Sequence, residues 1–205
     1  VSQHSYAQLS PAYMALQNFI NLQVNGTNGD FCIRCHNQVG MNMEERTQIS
    51  NLERHPTSRE GITCIVCHRV ANIYNKASGR VALVEGDLLQ PVYGPTGNKE
   101  LKRVLENRQE YRVVTKADEP GRKIHTEVIE FKEISTSTFC GTCHDVTLLN
   151  GFRLEEAFSE YRASPAAGKG ISCQDCHMGK VQGIVSGYHE GPAAVVGGVP
   201  TKPRK

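Results

Sequence analysis

With 205 residues, of which 39% are hydrophobic, 6% aromatic and none Trp, the chain suits one domain or two small ones. Its own apolar residues would build only a thin core. A formal net charge of +2, with both signs mixed along the chain, excludes an electrostatic nucleic-acid binder, and the basic cluster Lys202, Arg204 and Lys205 reads as a solvated tail.

In chain order, Ser10-Pro11 is a helix start, with Ser as N-cap and Pro at the first helical position. Tyr13, Leu16, Phe19 and Ile20 form an apolar stripe that ends before Asn25-Gly26 and is expected to pack. A second helix is expected from Met43 to Leu52. Tyr74 and Val81 to Leu83 flank Lys76-Ala77-Ser78-Gly79, a hairpin pattern. Tyr111 to Thr115 and Val128 to Phe131 are expected to pair, linked through Glu119-Pro120-Gly121. A third helix is expected from about Leu154 to Tyr161, and the Gly- and Pro-rich tail from Gly191 to Pro203 should be extended. No apolar run approaches the roughly 18 residues of a membrane span. A chain opening on Val1 has the form of a mature, processed product.

The eight cysteines organise everything else. They fall as Cys32-Ile-Arg-Cys35-His36, Cys64-Ile-Val-Cys67-His68, Cys140-Gly-Thr-Cys143-His144 and Cys173-Gln-Asp-Cys176-His177, with none left over. Each is a C-x-x-C-H unit, the c-type haem attachment signature. Two thiols three positions apart lie on one helical face and can add to the two vinyl groups of one porphyrin. The next residue, His, then reaches the iron as proximal ligand. Structural zinc or a redox dithiol would use C-x-x-C, but neither requires the following His. With eight His in 205 residues, four such coincidences have a chance of roughly a few in a million. Four haem c groups are therefore expected, and porphyrin would supply the buried surface that the chain lacks. Eight propionates and four ferric porphyrins would take the formal charge from +2 to −2.

Four histidines remain: His4, His55, His125 and His189. Four irons with two axial positions each need eight ligands, so the eight His match four bis-His haems. His55-Pro56 closes a helix-like stretch, His125 sits in a Gly/Lys turn before a strand-like run, and His189 follows His177 by twelve residues. Met14, Met41, Met43 and Met178 are the other candidate sixth ligands. Met14 lies on the first helix as a core residue, and Met178 is poorly placed to reach the far face of its own haem. The expected fold is a single tetrahaem domain over 1–205. It is mostly irregular coil with short helices and a small β-hairpin region around a core of four haems. A motif-free, β-rich insertion at about 70–135 would separate two haem pairs, with an extended tail at 190–205. At one haem per fifty residues the porphyrins must lie close together.

The phrases Phe-Cys-x-x-Cys-His at 31–36, Gly-Ile-Thr-Cys-x-x-Cys-His at 61–68, Phe-Cys-Gly-Thr-Cys-His-Asp-Val at 139–146 and Gly-Ile-Ser-Cys-Gln-Asp-Cys-His-Met at 170–178 resemble the tetrahaem cytochromes related to the electron acceptor of hydroxylamine oxidoreductase. Within that group, size, haem count and the N-terminal His most resemble the extracellular filament-forming cytochromes of Geobacter type. The resemblance spans 31 to about 190. It implies alternating stacked and T-shaped haem pairs. It also implies that His125 serves the haem of His36, His55 that of His144 and His189 that of His177, which leaves His4 for the haem of His68. The ammonia-oxidiser cytochrome lacks a distal protein ligand at its second haem; this chain departs by offering a spare His. In filament cytochromes a His from the next subunit completes one haem, and His4 is the candidate donor. The expected function is electron transfer, not catalysis, in an exported chain that polymerises head to tail outside the cell and meets other redox proteins or extracellular acceptors. The alternatives are a discrete periplasmic shuttle and, less favoured by the ligand count, a reductase of small nitrogen species with one open haem.

Overall fold

Local capping starts the described chain. The computed structural model describes residues 7–73, 81–148 and 150–178, with the backbone of 195–196 and 199–200. Helix α1 (Pro11–Gln23) opens as expected: Ser10 Oγ accepts the Tyr13 N–H at 3.5 Å and Pro11 stands in the first turn. It ends where Asn25 and Gly26 take φ of +49° and +73°. The Gln48 side chain donates to the Gly26 carbonyl, so a Cβ at Gly26 would strike that amide. The stripe packs less than expected. Tyr13 is buried and Ile20 half-buried, while Leu16 and Phe19 are exposed, because no described segment lies over that face.

Helices α2 (Ile33–His36) and α3 (Gln38–Asn42) follow, joined by Asn37, whose Oδ1 accepts the Gly40 N–H at 2.9 Å. The helix expected over Met43 to Leu52 does not form. Glu44 takes φ +57°, and the segment runs in turns. The reason lies ten residues downstream. The Glu45 carboxylate turns inward to accept from the His55 N–H (2.8 Å), Ser58 Oγ (2.9 Å) and Arg54 Nη1 (2.9 Å), a geometry that a continuous helix would break. Helices α4 (Pro56–Arg59) and α5 (Cys64–His68) come next.

Strands β1 (Val70–Asn72) and β2 (Ala82–Leu83) pair antiparallel, Val70 opposite Leu83. Tyr74 and the expected turn at Lys76 to Gly79 lie outside the described residues. Beyond them come β3 (Val92–Gly94), α6 (Lys99–Glu106), α7 (Arg108–Tyr111), β4 (Val113–Val114), β5 (Arg122–Lys123) and β6 (Val128–Glu130). The expected partnership of 111–115 with 128–131 is not the one made. β4 pairs with β5 and β3 pairs with β6, both parallel. Asn98 Oδ1 accepts the Val128 N–H at 2.6 Å and helps hold β6 at β3. Helix α6 was not anticipated, although Leu101, Val104 and Leu105 carry its spacing and Leu101 is buried.

A 3-10 turn at Lys132–Ser135 leads into α8 (Ser137–Gly141), then the antiparallel pair β7 (Val146–Thr147) and β8 (Arg153–Glu155). The third expected helix begins later, as α9 (Ala157–Ala163), because Leu154 is taken by β8. Helices α10 (Pro165–Gly168) and α11 (Cys173–His177) follow. In the tail, β9 (Val195–Val196) pairs antiparallel with β10 (Val199–Pro200). The core is thin and mixed. Ile33, Val66, Val70, Ile73, Leu101 and Val113 are buried together with Gln8, Gln38, Arg54, Arg69 and Gln174. Among the described residues no helix is long and apolar enough to cross a membrane.

Candidate functional site

Each C-x-x-C-H unit occupies one helical turn. In the first, the Cys35 and His36 N–H groups donate to the Cys32 carbonyl at 3.4 and 3.2 Å. The second is α5 itself. The third runs off the end of α8, with Cys143 and His144 donating to the Cys140 carbonyl at 3.1 and 3.0 Å. The fourth is α11, opened by a capping box. Ser172 Oγ accepts the Asp175 N–H at 3.3 Å and Asp175 Oδ2 accepts the Ser172 N–H at 2.6 Å. One turn sets both Sγ atoms and the imidazole of a unit on the same side. The fourth unit is tied to the segment 134–137 that leads into the third. The Cys173 N–H donates to Ser137 Oγ at 3.0 Å, and Gln174 Nε2 donates to the carbonyls of Ile134 and Thr136 at 3.0 and 2.8 Å.

Thiols of the other three units lie within electrostatic reach of the third. All eight thiols are free. The Cys143 thiol nearby, then burial, raises the Cys35 pKa, and Cys35 in turn lowers that of Cys143. Burial pushes Cys140 up to about 12, with Cys173 and Cys67 within electrostatic reach. Burial likewise pushes Cys67 up to about 11, with Cys143 nearby. Burial also raises Cys32, against a hydrogen bond from Asn28 Nδ2 at 3.1 Å. Among the described residues no three His, Cys, Asp or Glu side chains converge as ligands of one ion.

Two motif histidines have their orientation defined. His36 Nδ1 lies 2.9 Å from the Ala7 carbonyl, and the Tyr13 ring stacks on it at 3.9 Å and 7°. His68 Nδ1 lies 2.8 Å from the Tyr93 carbonyl. A carbonyl only accepts, so the Nδ1 of each ring carries the proton and Nε2 presents its lone pair, the tautomer a metal ligand needs. Burial, with His144 nearby, lowers the His36 pKa. His68, His144 and His177 are exposed.

The spare histidines behave differently from one another. His55 caps α4: its Nδ1 accepts the Thr57 N–H at 3.2 Å. That leaves the proton of a neutral ring on Nε2, so ligation through Nε2 requires His55 to release the cap. His125 is half-buried, and burial with the charges of His68 and Arg69 nearby lowers its pKa. It therefore lies within electrostatic reach of the second unit, whereas the resemblance implies a role at the first. His4 and His189 lie outside the described residues. Met14 Sδ accepts from Asn51 Nδ2 at 3.4 Å, and Met43 is exposed.

Several site residues were not singled out in the sequence. Tyr13 was read only as packing. Arg69 directly follows His68 and is buried, with its guanidinium on the carbonyls of Glu85, Asp87 and Gln90. Adjacency to the motif was the one signal available for it. Tyr93, Ser137 and Gln174 act across 25 to 40 residues and left none.

The residues fit a covalently held haem. Each unit offers two thiols and a histidine on one turn, and both fixed tautomers leave Nε2 free to ligate. Buried Tyr13 Oη and Thr63 Oγ1 have no protein partner. No protein-family model matches the chain, and no curated protein or solved structure matches it either.

Proposed function

We propose that this chain is an electron-transfer protein with four covalently attached c-type haems. Cys32/Cys35, Cys64/Cys67, Cys140/Cys143 and Cys173/Cys176 would anchor them, and His36, His68, His144 and His177 would be their proximal ligands. His4, His55, His125 and His189 would supply the four distal positions. The observation that carries the reading is local geometry: each Cys-x-x-Cys-His unit closes as one helical turn, and the carbonyls of Ala7 and Tyr93 hold Nδ1 of His36 and His68 so that Nε2 is left to ligate. When bound, such haems supply reversible one-electron iron chemistry close enough for exchange between neighbours, at low potential under bis-His ligation.

What the chain itself does is hold and orient. The carbonyls of Ala7 and Tyr93 fix the rings of His36 and His68, and Ser137 and Gln174 lock the fourth unit to the third. A thin apolar core supports the reading, because large planar groups would complete it. Intact mass of the exported protein should exceed the polypeptide by four haems. The reduced protein should give a c-type α-band in pyridine, and the oxidised protein low-spin resonances. A colourless product of polypeptide mass overturns the proposal.

We further propose that the protein works outside the cytoplasm as a subunit of a head-to-tail polymer, with His4 of one copy ligating a haem of the next. His4→Ala should then leave one haem per subunit high-spin and abolish fibres in electron micrographs. Single particles from the unaltered protein would instead favour a discrete shuttle.

A further inference from the structure

The second haem's distal ligand is the question on which the resemblance and the geometry part. Residues 85–94 form a frame gripped from two sides. From the second C-x-x-C-H unit, His68 Nδ1 bonds the Tyr93 carbonyl at 2.8 Å. Arg69, buried, gathers the carbonyls of Glu85, Asp87 and Gln90, and its own carbonyl accepts the Val84 N–H at 2.8 Å. From the other side, Thr126 grips the Leu89 carbonyl twice, by N–H at 2.9 Å and by Oγ1 at 2.8 Å. The Val92 N–H donates to the Glu127 carbonyl at 3.0 Å, and Val92 pairs with Val128.

His125 stands at the start of this second grip. The backbone on both sides of it is pinned, by Ile124 N–H to the Val114 carbonyl at 3.0 Å and by Thr126 to Leu89. Its ring is half-buried within electrostatic reach of His68 and Arg69. A ligand held on a backbone fixed at both ends is preorganised. None of the hydrogen bonds of 124–126 in the described structure reaches the first unit at 32–36.

We propose that His125 is the distal axial ligand of the haem anchored by Cys64, Cys67 and His68, not of the haem anchored by Cys32, Cys35 and His36. This rests on the tetrahaem reading. The second haem would then be closed by the chain's own histidine, with residues 85–94 setting the spacing between His68 and His125.

The test uses the full haem-loaded protein. His125→Ala should retain all four haems by mass. One of the four should turn from low- to high-spin by electron paramagnetic resonance, bind carbon monoxide when reduced, and return to low-spin with added imidazole. Two three-haem backgrounds then identify which one. Where C64A/C67A removes the second haem, H125A should create no new high-spin iron. Where C32A/C35A removes the first, H125A should still create it. The reverse pattern, or an H125A protein with unchanged low-spin spectra, overturns the assignment. Should one background fail to accumulate, the other decides alone. A wild-type protein without covalent haem would sink the tetrahaem reading itself, a result distinguishable from failure of this assignment.

Discussion

Replacing Glu45 by Gln would strip a buried cation of its counter-charge. The Arg54 side chain is 1% exposed and that of Glu45 11%, with Nη1 to Oε2 at 2.9 Å. The same carboxylate accepts the His55 N–H at 2.8 Å and Ser58 Oγ at 2.9 Å. Breaking a buried pair by removing one partner costs about 3–5 kcal/mol. The Gln amide keeps one acceptor oxygen and Arg54 keeps the Thr47 carbonyl at 3.2 Å, so the loss should fall near the lower end, at about 3 kcal/mol. At an m-value of about 2 kcal/mol/M, urea unfolding followed by far-UV circular dichroism should shift its midpoint down by about 1.5 M. Replacing both partners, as E45L/R54M, should cost far less than the sum of the two single changes.

The pH dependence gives a second check. Burial works to raise the Glu45 pKa, but the His55 N–H, Ser58 and Arg54 outweigh it, and the net shift is downward from 4.5. The unfolded carboxyl therefore takes its proton first as pH falls. The stability that Glu45 contributes is complete above its unfolded pKa of 4.5 and is lost as pH drops below it toward the folded value. The gap between wild type and E45Q should be constant near neutral pH and narrow below about 4.5. A gap under about 1 kcal/mol at pH 7, or one that does not narrow in acid, would refute the reasoning.

Two further outcomes follow from single atoms. His55→Asp keeps an N-cap acceptor for the Thr57 N–H but removes the imidazole. Urea stability should stay within about 1 kcal/mol of wild type, while one haem of the loaded protein becomes high-spin by electron paramagnetic resonance. Tyr13→Phe deletes a buried hydroxyl that has no protein partner and keeps the ring stacked on His36. Thermal unfolding should show it neutral or stabilised by up to about 1 kcal/mol; destabilisation would mean that the hydroxyl has a partner in the loaded protein.

What could be read from sequence was local. Ser10-Pro11 announces α1 because a cap and a first-turn proline act within four residues. The same locality explains how Leu101, Val104 and Leu105 carry the pattern of α6 within a stretch otherwise rich in strand-like runs. Met43 to Leu52 has helical composition, and no neighbour in sequence warns that Glu45 is claimed by Arg54, His55 and Ser58. Strand partners were misjudged for a related reason. Two- and three-residue strands carry little register information of their own, so β6 goes to β3, whose capture includes the bond from Val128 to Asn98, 30 residues away.

The four C-x-x-C-H units, with all eight cysteines in them and four histidines to spare, were determined by the sequence alone, because two thiols and an imidazole on one turn write themselves into five consecutive residues. Only the tertiary structure decided that Ser137 ties the fourth unit to the helix of the third, that the carbonyls of Ala7 and Tyr93 orient His36 and His68, and that Thr126, next to His125, grips the same 85–94 segment that His68 does. Those facts depend on contacts across 25 or more residues, where backbone hydrogen bonding and burial choose partners that no local pattern encodes.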